Sequence, residues 1–316
     1  MYFADRLTEA QQRKNSIAVL GVDPHLDTRQ TPGIPAGYTL VRFCAEVIEA
    51  SADLVVAIKL QLAFFEARGV DGMRALVEVL KLARRLKLLT IADAKRGDIE
   101  PVSAAYAQAF LGDGDFGCDA VTVNPYLGED SVLPFLRIIK RERPDRGLFV
   151  CVKTSNPSSG DFQDLPTQNG PVWEEVGKRV DRWGRDFADF VGKSASKLSP
   201  AGAVVGATYP KHARRARELM PNAPILVPGY GAQGASAADA VAAARPSNGS
   251  GIIVNASRSL MYAYRNRQGL KPGDATRAAA EKMRGELARA LSERKSARDQ
   301  RQPARNGSER LPTGAP

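Results

Sequence analysis

The sequence predicts a single α/β domain of the (β/α)8 TIM-barrel class, followed by a short basic tail. Short apolar runs alternate with longer segments of helical periodicity along most of the chain, which is typical of repeated βα units. Eight such repeats with mostly apolar strands favour a closed parallel barrel over an open doubly wound sheet. The length of 316 residues lies within the range of one barrel domain.

The repeats define the elements in order along the chain. The predicted strands lie at residues 17–23, 54–59, 88–93, 120–124, 147–153, 201–206, 225–228 and 251–255. The predicted helices lie at residues 40–50, 72–86, 101–111, 131–141, 172–194, 211–220, 235–244 and 275–291. Residues 156–170 form a Pro- and Ser-containing stretch that is too long for an ordinary βα loop, which predicts an active-site lid or an insertion.

The composition changes near residue 294, where Arg, Gln, Pro, Gly and Ser replace apolar residues. We therefore expect residues 1–293 to form the barrel and residues 294–316 to be a disordered basic tail. The tail carries much of the net charge of +10. A basic surface suits an anionic phosphate ester or nucleic acid, so a basic RNA-binding protein is an alternative from another class.

Cysteine usage and the first residues predict a cytoplasmic protein. Cys44, Cys118 and Cys151 sit in apolar contexts without metal-ligand spacing, which indicates buried free thiols in a reducing compartment. The N-terminal residues lack a secretory pattern, and no apolar run is long enough to span a bilayer. We therefore expect no membrane contact.

Polar residues follow the predicted strands in several repeats. Asp23, Lys59 and Asp93 end the first three strands, and Ser155 follows the fifth. Because the carboxyl ends of all barrel strands meet at one mouth, these side chains are expected to form one site. For Asp23 or Lys59 alone, a solvated strand end is an equally good interpretation.

The strongest local pattern is Asp93-x-Lys95-x-x-Asp98. On an extended backbone, residues two apart point to the same side, so Asp93 and Lys95 are expected to face the mouth together. Arg96 and Gly97 permit a turn that carries Asp98 away from the strand. A lysine between carboxylates stays charged, which makes it a proton donor rather than a Schiff-base nucleophile. A structural ion pair is the alternative.

Two late loops, at residues 228–234 and 255–259, predict a phosphate site. The first begins at Pro228, contains three glycines and includes Gln233; the second includes Arg258. Glycines let backbone amides approach an anion, and an arginine can hold phosphate by two hydrogen bonds. The chain has only two histidines, which argues against a multi-histidine zinc site or a histidine triad.

Six segments together resemble the orotidine 5′-monophosphate (OMP) decarboxylases, and in particular their longer bacterial branch. They are GVDPH at 21–25, QLAFFE at 61–66, DAKRGDI at 93–99, TSNP at 154–157, PGYGAQG at 228–234 and ASR at 256–258. The resemblance runs in order from about residue 7 to about residue 263. It implies a homodimeric barrel that converts OMP to UMP and carbon dioxide in pyrimidine biosynthesis, with no cofactor and no metal.

The resemblance also implies roles for the reacting groups. Lys95 would protonate C6 of the pyrimidine, Asp93 would lie near the departing carboxylate, and Asp98 would enter the active site of the neighbouring subunit.

The same resemblance implies the substrate contacts. Asp23 and Lys59 would bind ribose hydroxyls and orient the charged residues. Ser155 would meet the pyrimidine, while Gln233 and Arg258 would hold the phosphate.

Two departures and one alternative accompany the resemblance. Leu60 stands where this branch commonly has proline, and Val102 replaces a residue that could supply a hydroxyl across the dimer. Magnesium-dependent sugar-phosphate decarboxylases and hexulose-phosphate synthases use a similar Asp-x-Lys-x-x-Asp pattern. They need an acidic residue at the end of the second strand, where this chain has Lys59. The RNA-binding alternative needs base-stacking aromatics, which are not evident.

Overall fold

The computed structural model describes residues 1–26, 33–231, 234–267 and 269–299. Within them, eight parallel strands form a closed barrel, in the order β1-β10-β9-β8-β5-β4-β3-β2 around its circumference. The predicted (β/α)8 class is confirmed, and each predicted strand has a counterpart. The barrel strands are β1 Ala18–Val22, β2 Ala57–Gln61, β3 Leu89–Arg96, β4 Ala120–Val123, β5 Gly147–Lys153, β8 Ala201–Val205, β9 Ile225–Val227 and β10 Ile252–Ala256.

The lid or insertion predicted between β5 and β8 contains several short elements. A 3-10 turn at Pro157–Ser159 leads into the short helix α7 Gly160–Gln163, and two-residue strands β6 Pro166–Thr167 and β7 Gly170–Pro171 form an antiparallel pair. The buried Lys153 at the end of β5 donates to both carboxylate oxygens of Asp164 at 2.8 Å. This ion pair ties the segment to the barrel rim.

Helices cover the outside of the barrel, largely as predicted. They are α1 Phe3–Lys14, α2 Leu40–Ser51, α3 Leu62–Glu66, α4 Gly69–Arg85, α5 Glu100–Leu111, α6 Leu133–Arg141, α7 Gly160–Gln163, α8 Val172–Arg185, α9 Ala188–Lys193, α10 Pro210–Leu219, α11 Ala237–Ala240, α12 Arg258–Met261 and α13 Pro272–Asp299. The helix predicted at 172–194 is interrupted after Arg185, where the chain turns and buries Phe187 in the core. The helix predicted at 235–244 is reduced to the single turn α11.

Helix α1 was not predicted, and it closes the amino-terminal end of the barrel. Its buried residues Phe3 and Leu7 join a cluster of inward-facing residues from all eight barrel strands. The Phe3 and Phe149 rings meet edge to face, with centroids 6.1 Å apart. The barrel is therefore sealed by apolar packing at this end.

Helix α13 continues through Asp299, six residues beyond residue 293, where the sequence analysis ended the barrel domain. Residues 293–298 include Glu, Arg, Lys and Ala, which favour helix. Arg294 also donates to the carbonyl oxygen of Ala244 at 3.4 Å. The rest of the predicted tail, from residue 300, lies outside the described residues. Among the described residues, no helix has the length and apolar character needed to cross a membrane.

Candidate active site

A cavity of about 430 Å³ opens at the carboxyl ends of the barrel strands. Seven of the nine predicted site residues line it: Asp23, Lys59, Asp93, Lys95, Ser155, Pro228 and Arg258. Asp98 does not, and Gln233 lies outside the described residues. The barrel therefore brings together residues from six different strands or the loops that follow them.

Asp93 lies at the centre of the charged residues in this cavity. Lys59 Nζ donates to its Oδ2 at 2.6 Å, and Lys95 Nζ donates to its Oδ1 at 2.5 Å. Two neutral side chains complete the set: Gln61 donates to Oδ2 at 3.1 Å and Thr122 to Oδ1 at 3.0 Å. One carboxylate is thus held by donors from β2, β3 and β4, which fixes its position.

The charges of this cluster stabilise one another. Burial alone would raise the pKa of Asp93, but the ammonium groups of Lys59 and Lys95 outweigh burial and hold this pKa well below its usual value. Burial alone would lower the pKa of Lys59, but the carboxylates of Asp93 and Asp23 outweigh it and raise this pKa. Both groups therefore remain charged at neutral pH.

The predicted extended backbone through Lys95 is wrong. Lys95 has a φ of +48°, and the β3–β4 register shifts between Ala92 and Arg96. The Lys95 amide donates to Thr122 Oγ1 at 3.0 Å instead of continuing a regular ladder. This irregularity still places the Lys95 ammonium on Asp93, and it leaves 45% of the side chain exposed at the cavity. A left-handed conformation at a non-glycine residue is a strain typical of functional sites.

Gly97 has a different role from the predicted one. A Cβ at Gly97 would lie 2.3 Å from the carbonyl oxygen of Asn124, so glycine is needed for close approach to the end of β4 rather than for a left-handed turn. Asp98 follows, with its Oδ1 accepting a hydrogen bond from the Ile99 amide at 2.7 Å. The Asp98 side chain does not line the cavity of its own chain.

Asp23 follows β1 and has an unused acceptor. Its buried Oδ1 has no hydrogen-bond partner among the described residues, and the nearest ammonium, Lys59 Nζ, lies 3.8 Å away. The backbone after it is fixed, because Arg68 donates to the carbonyl oxygens of Pro24 at 2.7 Å and His25 at 2.9 Å. Tyr262 Oη accepts from the His25 amide at 2.8 Å. The fixed backbone at residues 24–25 therefore follows a carboxylate oxygen that lacks a hydrogen-bond donor in the described part of the chain.

Two glycines let neighbouring loops approach the cavity. A Cβ at Gly21 would lie 1.9 Å from Ser257 Oγ, directly before Arg258. A Cβ at Gly206 would lie 2.8 Å from the Cβ of Ser155. Small residues at these two positions are thus required for the placement of Arg258 and Ser155.

The cavity lining also includes polar residues that were not among the nine predicted site residues. Four of them are Gln61, Thr122, Tyr230 and Asn255. Gln61 lies two residues after Lys59 on β2, and Thr122 is a polar residue within the otherwise apolar β4. Strand alternation from Lys59, and the presence of a hydroxyl in an apolar strand, are the signals that could have identified them.

Potential metal ligands do not cluster in the described part of the chain, where no group of three or more His, Cys, Asp or Glu residues is arranged to hold an ion. The three cysteines are free; Cys44 and Cys118 are buried, whereas Cys151 is partly exposed.

Comparison with known proteins gives one consistent result. Residues 26–271 match the orotidine 5′-phosphate decarboxylase / HUMPS family. A protein named orotidine 5′-phosphate decarboxylase from Rhodopirellula baltica is 40% identical over 284 residues, covering 85% of this chain and 91% of its own length. One of the same name from Caldicellulosiruptor bescii is 39% identical, with coverages of 84% and 90%. The structure of Leishmania donovani OMP decarboxylase superposes with a TM-score of 0.73 at 32% identity, covering 92% of this chain and all (100%) of that one.

Proposed function

The chain belongs to the orotidine 5′-phosphate decarboxylase / HUMPS family, and on this premise we propose that it is the carboxy-lyase that converts OMP to UMP and carbon dioxide in pyrimidine biosynthesis. The single observation that carries the proposal is the Lys59–Asp93–Lys95 cluster at the barrel mouth. In this proposal the protein's small-molecule partner is the nucleotide OMP. The reaction takes place in the cytoplasm and involves neither nucleic acid nor a membrane.

The cluster suits the chemistry of this decarboxylation. When the C6–carboxylate bond breaks, the electron pair remains on C6, where the ring delocalises it poorly. A fixed ammonium beside C6 stabilises that charge as it develops and then supplies the proton. Lys95 is the ammonium that is exposed to the cavity, while Lys59 stays buried and keeps Asp93 ionised. Asp93, beside Lys95, would lie near the carboxylate that leaves.

The rest of the cavity provides substrate contacts. The unused Asp23 Oδ1 would accept a hydrogen bond from a ribose hydroxyl, with Lys59 next to it. Ser155 would meet the pyrimidine, and Arg258 would bind the phosphate together with the loop that begins at Pro228. Gln233 is proposed for the phosphate from the sequence alone. Phosphate binding far from C6 would supply energy that is used in the transition state.

The magnesium-dependent sugar-phosphate reaction is less compatible with the cavity. Lys59 Nζ lies 2.6 Å from Asp93 and 3.8 Å from Asp23, so an ammonium already neutralises the two carboxylates that a divalent cation would need.

The assay that tests the proposal is the loss of OMP absorbance with purified protein in EDTA. We expect turnover to UMP that is unaffected by the chelator. Loss of activity in EDTA that magnesium restores would support the sugar-phosphate reaction instead, and no turnover of OMP under any condition would reject the proposal.

We also propose a homodimer with shared active sites. Asp98 does not line the cavity of its own chain, and exposed apolar side chains follow it in the chain and follow the adjacent strand β4: Ile99 and Val102, and Tyr126 and Leu127. Such side chains are suited to contact with a second copy. In the dimer, Asp98 would enter the site that contains the partner's Lys95.

Mixing of two inactive proteins tests this arrangement. Lys95→Ala and Asp98→Ala proteins should each be nearly inactive, whereas a mixed dimer contains one site with both residues intact. Random pairing of equal amounts makes about half the dimers mixed and restores about a quarter of wild-type sites. No recovery after verified subunit exchange would reject the shared site and leave the decarboxylase proposal in place.

A further inference from the structure

The loop after β9 contains three glycines among its described residues, which limits the intrinsic rigidity of that part of the loop. Gly229, Gly231 and Gly234 all have positive φ, at +101°, +74° and +87°. The loop folds on itself through Gly231 N to Ala235 O at 3.2 Å and Gly234 N to Gly231 O at 2.9 Å. Because glycine permits many other conformations at low cost, these contacts alone hold the loop weakly. A tether from outside the loop is therefore important for its geometry.

Tyr230 provides that tether. Tyr230 lines both the active-site cavity and a second cavity of about 270 Å³, to which residues of α12 and α13 contribute. Its hydroxyl donates to Glu286 Oε2 on α13. Burial and the Glu286 carboxylate both raise the pKa of Tyr230, so the phenol remains a protonated donor at neutral pH. The bond is therefore a charge-assisted one, which is stronger than a neutral hydrogen bond.

Helix α13 is a firm support for this contact. Met283, Leu287 and Ala290 on the same helix are buried, whereas Glu286 lies at the edge with 39% of its side chain exposed. The helix also holds the other phosphate loop, since Thr276 Oγ1 donates to Leu260 O, in the short helix that begins with Arg258, at 3.0 Å. Both loops expected to bind phosphate are thus attached to one helix.

We propose that Glu286 is a positioning residue that acts through Tyr230 to hold residues 228–231, the first part of the loop after β9, in the geometry that binds the substrate phosphate. The inference rests on the proposed function. Without the Tyr230–Glu286 hydrogen bond the loop samples other conformations. The free energy of substrate binding must then include the cost of ordering the loop. Because phosphate binding is used in the transition state, kcat also falls, though by less than kcat/KM.

The test compares OMP with orotidine, the same substrate without its phosphate. Tyr230→Phe and Glu286→Ala should each lower kcat/KM for OMP about tenfold, the usual effect of losing a hydrogen bond to a charged group. Neither should change kcat/KM for orotidine, because orotidine has nothing for the loop to bind. Glu286→Gln, which retains an acceptor oxygen, should restore much of the loss, and the double variant should be no worse than Glu286→Ala.

Glu281→Ala is the matched control, because Glu281 is an exposed residue of α13 that pairs with Arg277 at 3.2 Å. It should leave both substrates unaffected. If the Tyr230 and Glu286 variants lose kcat/KM equally for OMP and orotidine, or lose none, the inference is overturned. The proposed function would still stand in that case, provided that the wild-type protein turns over OMP. A wild type inactive toward OMP would instead reject the proposed function, and the inference with it.

Discussion

Each end of the barrel carries a carboxylate that accepts hydrogen bonds from cationic and neutral donors. The two ends differ in the hydrogen-bonding capacity that remains available to a ligand. At the carboxyl end, Asp93 binds Lys59 and Lys95 beside an open cavity. At the amino end, Asp119 Oδ1 accepts from Arg6 at 2.7 Å and from Arg146 at 3.1 Å. Its Oδ2 accepts from the amide and hydroxyl of Thr90 at 2.8 and 3.0 Å.

This difference separates a stabilising network from a reactive one. Around Asp119 every carboxylate oxygen has two donors, and α1 covers that end of the barrel. Both oxygens of Asp93 also have two donors. The cavity beside it, however, retains a half-exposed ammonium on Lys95 and an oxygen of Asp23 that has no hydrogen-bond donor among the described residues and only the distant ammonium of Lys59 nearby. Unused hydrogen-bonding capacity occurs at the mouth, where a ligand can use it.

Apart from substitution of Lys95 itself, the largest effect on catalysis is expected for Arg258, on the phosphate side of the mouth. Arg258→Ala should lower kcat/KM for OMP by about 10²- to 10³-fold, since two charge-assisted hydrogen bonds are lost. Both KM and kcat should worsen, because phosphate binding is used in the transition state. Steady-state kinetics measure this, with Arg265→Ala, an exposed arginine outside the cavity, as control. Unchanged kinetic constants would remove Arg258 from the site.

The opposite end should respond in stability and not in catalysis. Asp119→Ala removes the carboxylate that the two arginines and Thr90 share and leaves the arginines only Asp145 as a carboxylate partner among the described residues, so we expect a loss of about 2 kcal/mol in the free energy of unfolding. Turnover per folded molecule should stay at the wild-type value. Urea unfolding and kinetics on the same sample measure both, and Asp113→Ala is a matched control because Asp113 is exposed. A large loss of turnover by folded Asp119→Ala protein would break the comparison.

The smallest effect is expected beyond α13. Deletion of residues 300–316 should change the free energy of unfolding by less than about 0.5 kcal/mol and leave turnover intact, as expected for a disorder-like composition. The truncation retains Arg294 and its bond to Ala244. An insoluble or inactive truncated protein would show that the tail has a role in the fold or the site.

The sequence predicts features of this protein that depend on local patterns. Apolar strand runs predict all eight barrel strands, and polar residues at their ends predict the mouth, because both follow from the period of the strand and the geometry of the barrel. Helix α1 escapes such analysis because its buried face only acquires a partner once the barrel has formed. The φ of Lys95 and the Tyr230–Glu286 bond are likewise set by packing between distant elements.

The central claim is that the Lys95 ammonium carries out the chemistry, and the turnover of Lys95→Gly tests it most directly. Glycine accepts the φ of +48° without strain, so this variant removes the ammonium and leaves the backbone in place. We expect folded Lys95→Gly protein to form UMP at least about 10³-fold more slowly than wild type. Added ethylammonium should restore part of the rate, whereas tetramethylammonium, which has no proton to donate, should not. Formation of UMP by Lys95→Gly at the wild-type rate without any added amine would contradict the claim.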